Sequence, residues 1–324
     1  MQEEKILEVE NLVTSFRTER GTMKAVDGVS FFVQKGEMLG IVGESGCGKS
    51  VTSQSIMRLY DEKYLATIQG KVILDGQNLL DIPLKKMQGI RGNKISMVFQ
   101  DALSALNPVE TVGSQIVEAI RIHKKVSKKE AKEKALEMMR LVGIPAYEER
   151  FFDYPHQLSG GMRQRIMIAI ALSCEPKLLI ADEPTTALDV TIQAQVLEMM
   201  QDLKQKFNTS MLLITHDLGV VAQNCDMVAV IYAGQIVEYG SVLDVFKHMH
   251  HPYTVGLFDS IPQIDSAVTR LKPIPGLMPD PTDLPEGCNF STRCPYADEK
   301  CKANEPELEE VRPGHFARCF HCKH

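Results

Sequence analysis

The chain has 324 residues and a formal net charge of −6, with 44% hydrophobic and 24% charged residues. This composition is ordinary for a globular protein, and the length allows one large α/β domain with a smaller addition. The acidic balance argues against nucleic-acid binding, and no apolar run approaches the roughly 20 residues that cross a bilayer. The opening "MQEEKILEVE" is unlike a secretory signal, so we expect a cytoplasmic protein that meets a membrane only through a partner.

Apolar patterns predict strands and helices in an alternating order. Residues 5–16 and 25–36 alternate apolar and polar side chains, as antiparallel strands with one covered face do. Residues 115–142 have helical spacing with a lysine-rich face, which we interpret as a solvated amphipathic region, with a basic docking surface as the alternative. Another amphipathic helix is predicted at 191–207. Strands buried on both faces are predicted at residues 38–43, 177–184 and 210–217. Strands and helices in this order indicate a parallel α/β sheet.

The sequence "GESGCGKS" lies between a predicted buried strand and a predicted helix and matches the P-loop pattern. Its glycines let consecutive backbone N–H groups surround an anion, toward which the helix directs its positive end. Lys49 is expected to reach the β- and γ-phosphates, and the Ser50 hydroxyl to ligate Mg²⁺. The predicted nucleoside triphosphate site comprises Gly43, Glu44, Ser45, Gly46, Cys47, Gly48, Lys49, Ser50 and Val51.

The apolar segment "LLIADEP" supplies the carboxylates that a P-loop site needs. Asp182 ends this predicted strand and is expected to hold Mg²⁺ through water. Glu183 follows and is expected to act as the general base that polarises the attacking water.

A second glycine-rich sequence, "LSGGMRQR", lies between these two motifs. Ser159, Gly160 and Gly161 form a second helix start that is able to contact a γ-phosphate. Together with "ADEPTTALD", this sequence resembles the ATP-binding subunits of ABC transporters. The resemblance implies the P-loop NTPase fold of an ABC ATPase: a mixed sheet core, an antiparallel β subdomain and an α-helical subdomain. It also implies a head-to-tail dimer in which each ATP lies between one P-loop and the other subunit's "LSGG".

The same resemblance assigns four further residues. Gln100 matches the glutamine that senses Mg²⁺ and the attacking water, and His216 matches the histidine that contacts the γ-phosphate and Glu183. Asp189 matches the aspartate that crosses the dimer interface. Phe16 is the candidate for stacking on adenine.

Three other segments resemble the ATPase subunits of dipeptide and oligopeptide importers: "QDALSALNPVETVG", "HHPYTVGLFDSIP" and "GCNFSTRCPYADEKC". The resemblance implies import of peptides, with nickel or another small solute as the alternative cargo. The implied partners are a similar ATPase subunit (a heterodimer, with a homodimer as the alternative), two transmembrane permeases docked at residues 101–108 and, indirectly, an extracellular substrate-binding protein. The chain would then lie on the cytoplasmic face of the cell membrane. An exporter, or a soluble ABC ATPase acting on DNA or the ribosome, is the rival interpretation.

Prolines and cysteines set the remaining predicted boundaries. Residues 1–261 are assigned to the ATPase domain and the proline-rich residues 262–287 to an extended linker. Residues 288–324 are assigned to a separate cysteine-rich module. Because a reducing cytosol disfavours disulfides, the cysteines indicate a metal site, in which only Cys319 and Cys322 show the close spacing usual for zinc.

Four thiolates can also hold a [4Fe–4S] cluster. The resemblance to the importer family assigns such a cluster to Cys288, Cys294, Cys301 and Cys319 and leaves Cys322 as a spare thiol. Zinc and unliganded thiols are the alternatives. In either metal case the role is structural, because the tail has too few large apolar residues to form a core without help.

Overall fold

The computed structural model describes residues 4–19, 21–186, 188–260 and 273–322. These residues fall into two compact units. Unit 1 comprises Met1–Ile6, Val33–Gly36 and Asp81–Leu213, and unit 2 comprises Leu7–Phe32, Glu37–Leu80 and Ile214–His324. Residues 262–272 of the predicted linker lie outside the described residues.

Unit 2 contains an antiparallel sheet in the order β2-β1-β4-β5. Within it, β1 pairs antiparallel with β4, and β4 with β5. The alternating pattern of residues 5–16 gives the predicted strand, in which Leu7, Val9, Leu12 and Thr14 are buried. The alternation shifts by one residue where the pairing of β1 with β4 is irregular, between Glu10 and Val13. The strands are β1 (Lys5–Thr18), β2 (Gly21–Gln34), β4 (Ala66–Leu74) and β5 (Gln77–Asn78).

A second group of strands in unit 2 carries the glycine-rich loop. The strand β3 (Met38–Val42) is buried along its whole length and runs parallel to β9 (Met227–Tyr232). The strand β10 (Gln235–Ser241) pairs antiparallel with β9. The helices of this unit are α1 (Lys49–Ile56), α9 (Leu218–Asn224), α10 (Val242–Lys247), α11 (Pro252–Asp259) and α12 (Glu299–Ala303).

Unit 1 combines short buried strands with most of the long helices. The strand β6 (Ile95–Val98) runs parallel to β7 (Leu178–Asp182), and β8 (Ser210–Thr215) follows β7 in the sheet. All three strands are buried, as their continuous apolar sequences predict. The helices are α2 (Leu84–Met87), α3 (Ala102–Ala105), α4 (Val112–His123), α5 (Lys128–Leu141), α6 (Tyr147–Arg150), α7 (Gly160–Leu172) and α8 (Val190–Phe207).

The predicted helical region 115–142 forms two helices. The helix α4 ends at His123, and α5 begins after Ser127. The Ser127 hydroxyl accepts a hydrogen bond from the Glu130 N–H, and the Glu130 carboxylate accepts one from the Ser127 N–H. This capping box satisfies backbone donors at a helix start and fixes the break between the helices.

The cysteine-rich tail belongs to unit 2 and is not separate from its sheet. The strand β12 (His315–Ala317) pairs antiparallel with β10, and β11 (Glu309–Arg312) pairs with β12. Phe290 joins the buried cluster that contains Tyr232 and Tyr253. The prediction of a separate module is therefore not confirmed, because the tail shares the core of the preceding strands.

Among the described residues, no helix combines the length and the apolar character needed to cross a membrane.

Candidate functional site

The P-loop lies between β3 and α1 and surrounds the Lys49 ammonium. The Lys49 side chain is buried, and its Nζ donates hydrogen bonds to the carbonyl oxygens of Gly43 (2.8 Å) and Glu44 (2.9 Å). Gly48 has a φ of 106°, and a Cβ there would lie 2.6 Å from the Ala25 carbonyl oxygen. Only glycine fits this position, so the backbone can keep the tight turn that directs N–H groups at an anion.

Glu44 is the P-loop residue whose side chain has a partner far away in the sequence. Its carboxylate accepts two hydrogen bonds from the Arg293 guanidinium, at 2.7 and 3.1 Å. Its N–H donates to the hydroxyl oxygen of Tyr253 at 2.8 Å. The sequence motifs gave no sign of either contact, because both partners lie more than 200 positions away in the chain.

The predicted base Glu183 and the predicted glutamine Gln100 lie together in unit 1. The Gln100 Nε2 donates to the Glu183 Oε2 at 3.1 Å, and the Thr186 hydroxyl donates to the same oxygen at 2.8 Å. Glu183 has a φ of 46°, which is a strained conformation for a residue with a side chain. Asp182, at the end of β7, is buried. Two donors and an uncommon backbone angle therefore fix the carboxylate at the end of a buried strand.

The "LSGG" sequence forms the start of α7. The Ser159 hydroxyl accepts a hydrogen bond from the Met162 N–H at 3.3 Å, which makes Ser159 the N-cap. Ser159 and Gly160 are exposed, and a Cβ on Gly161 would lie 2.9 Å from a methyl group of Ile192. The exposed N-terminus of this 13-residue helix is suited to an anion that approaches from outside the chain.

The remaining predicted residues lie at or near the ends of strands and helices. Asp189 is exposed at the N-cap of α8 in unit 1, and His216 is exposed directly after β8 in unit 2. Phe16 lies near the end of β1, with its ring edge-to-face on Tyr60 at 4.8 Å between centroids. Tyr60 was missed by the motif search because it follows α1 without a recognisable pattern.

The residues predicted from the sequence are divided between the two units. The P-loop, Phe16 and His216 belong to unit 2. The unit 1 residues are Gln100, Asp182, Glu183, Ser159, Gly160, Gly161 and Asp189. The magnesium site that would join Ser50 to Gln100 and Asp182 stays a prediction.

The thiols of Cys288, Cys294, Cys301 and Cys319 are close enough to influence one another electrostatically. Burial raises the pKa of the first three thiols, and neighbouring thiols raise that of Cys288 further. Thiolates are ligands of both zinc and iron–sulfur clusters, so the residue types fit a metal centre. Cys322 is buried, and its thiol donates to the Cys319 carbonyl oxygen.

The [4Fe–4S] cluster itself is not confirmed. The group of possible ligand atoms within 4.8 Å of one another that is found among the described residues is Asp298, Cys301 and His321. The His321 Nε2 lies 3.5 Å from the Cys301 Sγ and 3.2 Å from the Asp298 Oδ2. This group of three residues shares only Cys301 with the four predicted cysteine ligands. Its mixture of N, O and S donors is typical of a site for a single transition-metal ion.

The fold and these motifs define an ABC ATPase. Residues 26–186 match the ABC transporter family, and residues 237–301 match the family described as "Oligopeptide/dipeptide transporter, C-terminal region". The chain belongs to the ATP-binding proteins of oligopeptide and dipeptide ABC transporters, which confirms the family resemblance.

Curated relatives match nearly the whole chain. The probable peptide ABC transporter ATP-binding protein y4tR of Sinorhizobium fredii is 53% identical over 97% of this chain and 94% of its own length. The oligopeptide transport ATP-binding protein AppD of Bacillus subtilis is 53% identical over 97% of this chain and 96% of its own. Among solved structures, the ATP-binding cassette MJ0796, described as a dimer bound to ADP and phosphate, covers 73% of this chain and 98% of its own with a TM-score of 0.66 and 26% identity.

Proposed function

We propose that this chain hydrolyses ATP to power the import of dipeptides or oligopeptides through an ABC transporter. The observation that carries the chemistry is the Glu183 carboxylate, held by Gln100 and Thr186 at the end of β7. A carboxylate fixed in this way can accept a proton from a water that attacks the γ-phosphate. Relatives named for peptide transport support the cargo, and nickel is not favoured.

The P-loop residues of this chain perform the binding step. Backbone N–H groups of the loop and the ammonium of Lys49 neutralise the phosphates, and the start of α1 adds its dipole. Ser50, Gln100 and Asp182 would hold Mg²⁺, which neutralises developing charge on the phosphate oxygens when it is bound. The edge-to-face pair of Phe16 with Tyr60 leaves an aromatic surface for adenine in this proposal.

The site is completed by a second ATPase subunit in the proposed assembly. Ser159, Gly160 and Asp189 are exposed in this chain, as residues that contact a partner's nucleotide must be. The dimer described for the cassette MJ0796 supports this arrangement. A similar but distinct subunit is the expected partner, and a second copy of the chain is the alternative.

The permease surface is proposed around α3. The apolar side chains of Phe99 and Val109, on either side of this helix, are 40% and 78% exposed. Exposed apolar side chains of this kind are typical of a protein interface. Docking to two permeases would hold the chain on the cytoplasmic face of the membrane, with the extracellular binding protein as an indirect partner.

Peptide should stimulate ATP hydrolysis by the complete transporter. The tagged chain would be purified from its own membranes with its partners and reconstituted into liposomes, and phosphate release would be measured with a mixture of di- and tetrapeptides. We expect the rate of phosphate release to rise with peptide and not with Ni²⁺, because only a solute that the permeases accept can stimulate the ATPase. Stimulation by Ni²⁺ and not by peptide would reject the proposed cargo.

The tail is proposed to hold a metal centre at Cys288, Cys294, Cys301 and Cys319, with a [4Fe–4S] cluster as the expected occupant and zinc as the alternative. Such a centre would supply folding free energy to the tail. Anaerobically purified protein should contain iron and sulfide and absorb visible light. Cys294→Ala should lose both, whereas Cys322→Ser, the control, should keep them. Colourless protein that contains one zinc ion would select the alternative, and protein with neither metal would reject the centre.

A further inference from the structure

The cysteine-rich tail contacts the P-loop through Arg293. The Arg293 side chain is 3% exposed, and its Nη1 and Nη2 donate to the two carboxylate oxygens of Glu44 at 2.7 and 3.1 Å. Two parallel N–H···O bonds between a guanidinium and a carboxylate are a strong and directional pairing. The pair therefore ties the tail to the second residue of the phosphate loop.

The Arg293 guanidinium is fixed from its other sides as well. Its Nε donates to the Pro275 carbonyl oxygen at 2.9 Å, and its Cζ lies 5.8 Å from the ring centre of Tyr232 and 6.0 Å from that of Phe290. Both aromatic residues belong to the buried cluster of unit 2. The guanidinium cannot follow Glu44 if the loop moves, so it acts as an anchor for the loop.

Glu44 is held at each of its three polar groups. The carboxylate contacts Arg293, the N–H donates to the buried Tyr253, and the carbonyl oxygen accepts from Lys49. The Lys49 ammonium is also the group expected to bind phosphate. The position of the Glu44 backbone therefore helps to determine where this ammonium lies. The carboxylate adds a negative charge to a loop that must bind a polyanion, and Arg293 compensates this charge.

We propose that Arg293 is a positioning residue for ATP binding: through its paired hydrogen bonds with Glu44, the cysteine-rich tail holds the P-loop in its anion-binding conformation and cancels the loop's negative charge. The proposal rests on ATP binding at the P-loop. It concerns the affinity for nucleotide and not the chemical step, because Arg293 contacts no group assigned to catalysis.

Arg293→Met tests the proposal in the purified full-length chain. We expect the Kd for ATP and the KM of hydrolysis to rise by about 5- to 150-fold, the usual range of coupling between sites, while kcat changes little. Adding Glu44→Gln to this variant removes the uncompensated charge and should recover the part of the lost affinity that is due to charge, while the part due to the paired hydrogen bonds stays lost. A purely structural role predicts no such rescue. Arg293→Lys, which keeps the charge but not the paired geometry, should lie between the wild type and Arg293→Met.

Arg312→Met is the matched control. Arg312 is also in the tail, but its side chain is 44% exposed and its Nε lies 3.5 Å from the Oδ1 of Asp244, which is outside the P-loop. This variant should keep the wild-type affinity for ATP. Unchanged affinity in both Arg293 variants, or a loss that Glu44→Gln does not relieve, would overturn the inference. If Arg293→Met fails to fold, Arg293→Lys alone decides between these outcomes. A wild-type chain that does not bind ATP would instead reject the proposed function.

Discussion

Glu183→Gln should lower ATP turnover by about 10²- to 10⁴-fold, the usual contribution of a general base, while ATP still binds. The amide keeps the size of the side chain and can still accept hydrogen bonds from Gln100 and Thr186, but it cannot take a proton from water. Phosphate release and ATP affinity measured on the same preparation would separate the two effects. Normal turnover would show that Glu183 is not the base.

Glu198→Gln serves as the control, because Glu198 is exposed on α8 and is not among the residues assigned to the site. Its turnover should match that of the wild type. The Glu183→Gln chain, which holds ATP without consuming it, should also pair with a second copy or with a related subunit. Light scattering with and without ATP would detect this pairing, and a chain that stays monomeric with both candidates would contradict the proposed shared site.

Lys49→Ala should weaken ATP binding by about 10- to 100-fold or more, since a hydrogen bond to a charged group contributes about 1.5–3 kcal/mol. The substitution removes the ammonium that lies inside the loop and its bonds to the Gly43 and Glu44 carbonyl oxygens. Calorimetric titration with ATP gives the affinity, and thermal unfolding shows whether the loss is local.

Lys71→Ala is the matched control for this substitution. Lys71 also lies in unit 2, but it forms an exposed ion pair with Glu10 on the antiparallel sheet. Such surface pairs contribute about 0–1 kcal/mol to stability, so ATP affinity should not change. An equal affinity of the Lys49→Ala chain and the wild type would refute the assignment of the P-loop.

The short-range features of this chain could be predicted from its sequence. Continuous apolar segments predicted β3, β7 and β8, because a strand buried on both faces needs apolar side chains at every position. The P-loop and "LSGG" motifs predicted where α1 and α7 begin, since both helix starts depend on residues next to one another. The break between α4 and α5 was not predicted, although the serine three positions before a glutamate marks it in the sequence.

Contacts between distant segments could not be predicted in this way. Arg293 and Glu44 are 249 positions apart, and neither residue type indicates its partner. The tail was expected to form its own module because it has few large apolar residues. The structure shows instead that Phe290 shares the core of Tyr232 and Tyr253, and that the three-residue strand β12 extends an existing sheet.

The paired bonds between Arg293 and Glu44 also act in the opposite direction. Coupling between two sites is reciprocal by thermodynamic necessity. If the folded tail raises the affinity for nucleotide by a given factor, bound nucleotide stabilises the tail against local opening by the same factor. The carboxyl-terminal segment should therefore be better protected from local opening in the ATP-bound chain than in the nucleotide-free chain, as hydrogen exchange would show.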